Sequence, residues 1–449
     1  MKPNQRLAVI DMGSNSFRMV VFLAGGSWWK RTDEIYEPVR IGQGMARTGR
    51  LGQKPMQRAL STLDVFAHFA AASELGPESL DAVATSAIRE ATNAEAFLAR
   101  ARARCGLPIR VLTRAQEARY GYLAAVNSST LSDGYVLDLG GGSLQLVQVR
   151  ERLEVRCASW PVGTVRMTER FLPGRGRAKR RQLQELREHL DGELVQAEWL
   201  ARGAETALER RLVGIGGTVR NLAAAAQRVA GLEATEAGLR EGVFFERLLT
   251  GREPPLFEDV RRASVMNLAA SYHADPAHTR HVAALALGMF DELARLGLHP
   301  GDPRERELLW AASMLHDIGM SVDYDDHHKH SRYLILSAGL PGFTPIEVAI
   351  IAQAARYHRK GLPAPGPLSA LFGPGDAERL DRCAVLLRLA EDLERSRDQL
   401  VRSTSLSLND GEVELRLIAE GESVVPRWAA SREAELFSRA FARRLSVAA

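Results

Sequence analysis

At 449 residues, with 45% hydrophobic and 25% charged residues, the chain has the balance of a globular protein and is too long for one ordinary domain. The apolar run of MKPNQRLAVIDMGS breaks at Asp11 and no window is long and apolar enough to span a bilayer, so a signal peptide and a membrane partner are not expected and the expected location is the cytoplasm. The formal charge of +4, carried far more by Arg than by Lys, favours an anionic ligand, while the lack of a zinc-finger or basic-zipper pattern and of aromatics among the arginines argues against nucleic acid.

In chain order, the apolar strand LAVI leads into DMGSNSFRMV from Asp11, a strand, tight turn and strand with one carboxylate at its mouth. KPMQRALSTLDVFAHFAAASEL follows with the three- and four-residue apolar spacing of a helix. LDAVATSAIREATNAEAFLARA then turns from strand to helix, bunching Thr85, Ser86, Arg89 and Asn93 at a junction suited to anions. VLTRAQEARYGYLAAV starts a helix with Glu117 near its first turn. The spacing leaves open whether Glu117 is an ordinary N-terminal helix carboxylate or reaches into a cleft.

YVLDLGGGSLQLV repeats the first hairpin: Asp138, Gly140, Ser143 and Val147 stand at the offsets of Asp11, Gly13, Ser16 and Val20. The duplication implies two half-domains of like design, whose facing turns enclose a cleft. Gly140, Gly141 and Gly142 free backbone amides to meet an anion, and the paired Asp11 and Asp138 suit a hydrated Mg²⁺ held between acid and phosphate oxygens. The basic run GRGRAKRR, Gly174 to Arg181, reads equally as a polyanion path or a solvated loop. A third glycine turn, LVGIGGTVRNLAAAA, passes from a strand into a helix expected from about Asn221, placing Gly216, Gly217 and Thr218 where a helix N-terminus meets phosphate oxygens.

Nine of the eleven histidines lie between His273 and His358, in a segment that reads as consecutive helices. Beyond about Leu400, STSLSLNDGEVELRLIAEGESVV alternates as strands about NDG, and SREAELFSRAFARRL reads as a helix.

The blocks AVIDMGSNSFRMVV, ATSAIREATNAEAF, EARYGYLAAV, VLDLGGGSLQLV, GIGGTVRNLA, AGLREGV and HSRYLILSAGLPGFTPIEVAIIAQAARYHRKGLP resemble, in order, those of the exopolyphosphatase and guanosine pentaphosphate phosphohydrolase (Ppx/GppA) family. The resemblance implies an α/β fold: actin-like (ribonuclease H-like, ASKHA) half-domains at 1–125 and 126–250, an all-α HD-like domain at 251–397 and a small α+β domain at 398–449. It implies an exopolyphosphatase that releases terminal phosphate from inorganic polyphosphate with Mg²⁺, Mn²⁺ being the alternative ion. Guanosine pentaphosphate is the alternative substrate, a non-catalytic phosphate or alarmone sensor the alternative role, and a homodimer the implied assembly.

By the same resemblance Glu117 is the catalytic base and Asp11 and Asp138 hold the metal. Asn15, Ser16, Arg89, Gly140, Gly141, Gly142, Ser143, Gly216, Gly217 and Thr218 contact substrate phosphates. Gln145 departs from the pattern, because the family carries Glu there as one more acid beside the metal; an amide oxygen ligates more weakly and brings no charge. In the helical segment the likeness to HD phosphohydrolases places a second metal on His278, His316, Asp317 and Glu391, where those proteins have Asp at the last position. Asp392 lies beside it, and His330 and His358 are expected to approach.

Overall fold

The computed structural model describes residues 5–26, 28–174, 176–194, 199, 211–226 and 238–448, and it divides into two compact units, 1–260 and 261–449. Arg175 of the basic run and Ala237 of the AGLREGV block lie outside the described residues. Among the described residues no helix is long and apolar enough to cross a membrane.

The first unit contains two sheets of matching plan. One has β1 (Gln5–Met12), β2 (Phe17–Ala24), β3 (Trp29–Glu37), β4 (Leu80–Ala84) and β5 (Ile109–Val111) in the order β3-β2-β1-β4-β5. The other has β6 (Gly134–Leu139), β7 (Leu144–Arg150), β8 (Leu153–Trp160) and β9 (Leu212–Ile215) in the order β8-β7-β6-β9. In both, an antiparallel meander is joined through its first strand to a parallel strand, β1 to β4 and β6 to β9. The duplicated motif thus opens each sheet, and both copies close their turns in the same way: Gly13 N donates to Ser16 O at 3.1 Å, Gly140 N to Ser143 O at 3.0 Å.

The helices Arg114–Asn127 and Leu239–Leu248 share one apolar core with residues of both sheets, among them Val9, Phe22, Val136 and Ile215. Phe22 and Phe244 stack at 4.1 Å, and Phe245 meets Trp29 edge-on at 5.2 Å. Arg114–Asn127 begins with a capping box, Thr113 and Gln116 each satisfying the other's backbone amide, so its register along the core is fixed from its first turn. The helix expected from about Asn221 starts five residues earlier, at Gly216, directly after β9.

In the second unit, the helices Pro276–Arg295, Pro303–Leu315 and Pro345–Tyr357 each begin at proline after a side-chain cap: Asp275, Asp302 and Thr344. That pairing satisfies an exposed amide and presets the first helical φ. The C-terminal hairpin, β10 (Val401–Asn409) and β11 (Glu412–Ala419), turns on Asp410 and Gly411, both at positive φ (49° and 83°), the requirement of a tight primed turn. The terminal helix is shorter than expected: it stops at Phe441, and Arg444–Ala448 forms β12, parallel to β11. The tail has no separate core, since Val401, Val413, Leu415 and Phe437 pack in one cluster with Met289, Leu386 and Leu389 of the helices.

Gly242 carries the contact between the two central helices of the first unit: a Cβ there would lie 1.8 Å from the backbone oxygen of Tyr120. Gly242→Ala is expected to destabilise this unit by about 3 kcal/mol, the upper range for overpacking, read as a lower urea midpoint. An unchanged midpoint would show that the helices can part at no cost.

Candidate functional site

The ends of β1 and β6 place Asp11 and Asp138 on the wall of one cavity of about 410 Å³. Asn15, Ser16, Glu117, Gly140, Gly141, Gly142, Ser143, Gln145, Gly216, Gly217 and Thr218 line it too, so the predicted loop residues of the first unit converge. The turns fit without spare room. A Cβ on Gly142 would fall 2.3 Å from Ser86 Oγ and 2.6 Å from Ser14 Oγ, two hydroxyls that are themselves 3.0 Å apart.

Glu117 reaches the cavity because Gly121, one turn further along its helix, lets that helix lie on β6. A Cβ at Gly121 would be 3.0 Å from Ile215 Cδ1 and 3.6 Å from Asp138 Oδ2. Both oxygens of Glu117 accept hydrogen bonds: Oε1 from Ser143 Oγ at 3.2 Å, and Oε2 from Arg89 Nη1 at 2.8 Å. Gln145 stands directly across the β6–β7 ladder from Asp138, with Ser143 two residues before it. Its Nε2 donates to Ser143 Oγ at 2.9 Å, which leaves the hydroxyl proton free to point at Glu117. The amide nitrogen of Gln145, at least, is therefore committed to Ser143.

Arg89 is placed differently from the expectation. It does not line the cavity; it stands behind Glu117, and the same Nη1 also donates to Leu112 O at 2.8 Å, while Nε and Nη2 are buried without partners. Asn93 is away from the cavity as well, its amide bonding both backbone groups of Leu51. The cations that do line it are Arg18, Arg220 and Arg240, none singled out from the sequence. Arg18 faces Asp11 across the β1–β2 ladder, at the place Gln145 holds opposite Asp138, so the repeat itself marked it. Arg240 comes from the distant helix Leu239–Leu248 and donates to Asp11 Oδ2 at 3.2 Å, a pairing no local spacing could reveal. The described residues of the basic run Gly174–Arg181 are not part of the lining.

Burial raises the proton affinity of all three carboxylates of the cavity. Burial, then the charges of Glu117 and Asp11, push the Asp138 carboxyl up to about 7. Burial also raises Glu117 and Asp11, against the opposing charges of Arg89 and Arg240. Hard oxygen donors that repel one another suit Mg²⁺, which is commonly bound by one or two carboxylates together with substrate phosphates and water. Asp11 and Asp138 are the carboxylates of the cavity wall that could hold such an ion.

In the second unit, His278, His316, Asp317 and Glu391 also meet. Glu391 Oε2 lies 3.0 Å from His278 Nε2 and 3.2 Å from His316 Nε2, and Asp317 Oδ2 lies 3.8 Å from His278 Nε2. His358 joins them as expected, 3.8 Å from Asp317. The other histidine is His327, 3.4 Å from Asp317, and not His330. Asp392 turns away to Arg395.

Two family models match this chain: Ppx/GppA phosphatase family over residues 32–231, and Ppx/GppA phosphatase, domain III, over residues 260–424. The chain belongs to the Ppx/GppA phosphatase family. Among solved structures it is similar to a PPX-GPPA enzyme of Aquifex aeolicus, with 31% identity over 51% of this chain and 73% of that one (TM-score 0.41). It is also similar to an exopolyphosphatase from Cytophaga hutchinsonii, with 23% identity over 50% and 71% (TM-score 0.46). A second Aquifex aeolicus structure, of a Ppx/GppA family member, is 23% identical over 70% and 88% (TM-score 0.41).

The proton affinity of Asp138 has a consequence for stability. Its carboxyl titrates near 7 when folded and near 3.8 as an ordinary acid, so its contribution is most favourable below about pH 4 and is lost as pH rises through 7. With metal chelated, Asp138→Asn is expected to stabilise the folded unit, by about 2–3 kcal/mol more at pH 8 than at pH 5 at roughly 1.4 kcal/mol per unit, seen as a larger rise in melting temperature at pH 8. An equal gain at both pH values in thermal denaturation would show that the ionised carboxylate is not penalised.

Proposed function

We propose that the cavity of the first unit is a phosphoanhydride hydrolase site that releases terminal phosphate from inorganic polyphosphate. The observation that carries this reading is Glu117: a carboxylate at the cavity wall, held by Ser143 and Arg89, facing two glycine turns and three guanidinium groups. Family membership supports phosphatase chemistry, and the matching strand order of the two sheets supports reading them as actin-like half-domains.

Hydrolysis of this kind needs positioning, charge neutralisation and a placed water more than a covalent nucleophile. Glu117 accepts the proton of the attacking water. The hydrogen bonds to its two oxygens fix the carboxylate plane and leave further lone pairs free for that water. Arg18, Arg220 and Arg240 balance the charge of bound phosphates, and the amides of Gly141, Gly142 and the Gly216–Gly217 turn receive their oxygens. A Mg²⁺ held by Asp11 and Asp138 would supply Lewis-acid neutralisation of phosphate charge.

Glu117→Gln keeps the shape and removes the base. Phosphate release from long-chain polyphosphate, followed with malachite green, is expected to fall by about 10²–10⁴ in kcat with KM within a few-fold. Turnover of the variant at the wild-type rate would remove Glu117 from the chemistry. Guanosine pentaphosphate in parallel assays decides between the two substrates, and a wild-type chain inactive on both with Mg²⁺ and Mn²⁺ would favour sensing.

Gln145 bears on the metal. Gln145→Glu adds a carboxylate opposite Asp138 and is expected to lower the Mg²⁺ concentration for half-maximal hydrolysis. Identical half-saturation in the two proteins would show that position 145 does not touch the metal.

A further inference from the structure

The glycine turn of the second sheet is held from behind by the helix Thr164–Phe171, which bears none of the charged groups of the cavity. The first amides of a helix lack partners within it, and the cap here, Gly163, has no side chain to supply one. Those amides take carbonyls of the turn instead. Thr164 N donates to Gly140 O at 3.0 Å, and Val165 N and Arg166 N donate to Gly141 O at 2.9 and 3.2 Å. Thr164 Oγ1 adds a bond to Gly140 O at 3.3 Å, and Arg166 Nε one to Gly142 O at 3.1 Å. So close an approach needs Gly163, since a Cβ there would fall 2.3 Å from the backbone of Gly142.

The direction of these bonds fixes where the amides of the turn point. In a trans peptide the C=O and the following N–H are antiparallel, and among the described residues the one cis bond is Glu253–Pro254. Gly140 O and Gly141 O face the helix, so the N–H groups of Gly141 and Gly142 face the other way. Gly140 N is used by Ser143 O, whereas Gly141 N and Gly142 N have no backbone acceptor among the described residues. Both are left for a ligand in the cavity that these glycines line.

Arg166 makes a second bond. Its Nη2 reaches Glu90 Oε2, in a pair whose side chains are 26% and 22% exposed. Glu90 ends the short helix Ser86–Glu90, next to Arg89, the partner of Glu117. Glu90 Oε1 lies 3.5 Å from Arg114 Nη2, at the start of the helix that carries Glu117. One guanidinium therefore joins the turn that offers its amides to the segment that orients Glu117. A planar fork of fixed donors transmits position as a flexible ammonium does not.

We propose that Arg166 is a positioning residue: bound to Gly142 O and Glu90, it holds the Gly141 and Gly142 amides toward the substrate phosphate and in register with Glu117. It does not itself line the cavity. This role rests on the reading of the cavity as a phosphate site.

The probe is inorganic tripolyphosphate with Mg²⁺, bound to the full chain carrying Glu117→Gln so that binding is read without turnover. Labelling glycine with carbonyl ¹³C and amide ¹⁵N selects amides that follow another glycine, which in this sequence are Gly26, Gly141, Gly142 and Gly217. The Gly141 and Gly142 signals are expected to shift downfield on binding. In Arg166→Leu that shift is expected to be lost and Kd in calorimetry to rise about tenfold, the low end for one hydrogen bond to a charged group. Arg170→Leu, exposed on the same helix, is expected to leave both unchanged. Unmoved Gly141 and Gly142 signals in the parent, or an unchanged Kd and shift in Arg166→Leu, overturn the proposal. Should Arg166→Leu not fold, Glu90→Gln replaces it: loss of the anchor is expected to raise Kd about threefold, and an unchanged Kd there overturns the proposal in the same way. Hydrolysis of polyphosphate by the wild-type chain is measured apart. If it releases no phosphate, the hydrolase reading fails while the glycine signals still decide the role of Arg166.

Discussion

The first unit depends on a steric constraint: backbone must meet backbone and hydroxyl where the two hairpin turns come together. Gly142 has no room for a Cβ between Ser14 and Ser86, and Gly163 has none against the backbone of Gly141 and Gly142. Only chains that are glycine at these points can bring the turn of β6–β7 against that of β1–β2. Everything else in the cleft follows from that approach. It is why Asp11 and Asp138, far apart in sequence, share one cavity with the amides that flank them.

The same approach creates an electrostatic difficulty. Three acids, Asp11, Glu117 and Asp138, face a cavity lined by three guanidiniums, and burial lifts the proton affinity of each acid. Arg240 answers for Asp11 and Arg89 for Glu117, while Asp138 has Gln145 opposite it and no direct ion pair among the described residues. Burial and the charges of Glu117 and Asp11 together hold the Asp138 carboxyl up at about 7. A site of this kind is poised for cations and anions together, which is the composition of a metal-bound phosphate.

The second unit meets a comparable difficulty with different donors. Its buried polar cluster is rich in imidazole: His316 and His358 are locked from behind by carbonyls of their own helix ends, Ser313 O and Ala355 O, and His327 by Tyr324 O just before its helix. The helices thereby aim nitrogen lone pairs inward, which is a matter of where each helix stops. His316 and His358 stand at the C-terminal caps of their helices, and His327 opens its own. An apolar cluster running from the helices through the C-terminal sheet holds these ends in place.

The sequence by itself determined the repeat, and with it the paired Asp, the turn serines and the glycines, because a hairpin's contacts are local and its residue offsets recur. It also determined the histidine-rich helical segment and the position of Glu117 in a first turn. What only the tertiary structure decided are contacts between distant segments. Arg240 reaches Asp11 across more than two hundred positions, and Arg89 turns to Glu117 instead of the cavity because the helix Arg114–Asn127 packs beside it. His327 enters the second cluster in place of His330 although the two share a helix face, because three residues move a side chain about 4.5 Å along the axis. Periodicity fixes which face a residue takes, but depth along an axis and the partner across a cleft are set by how whole helices pack.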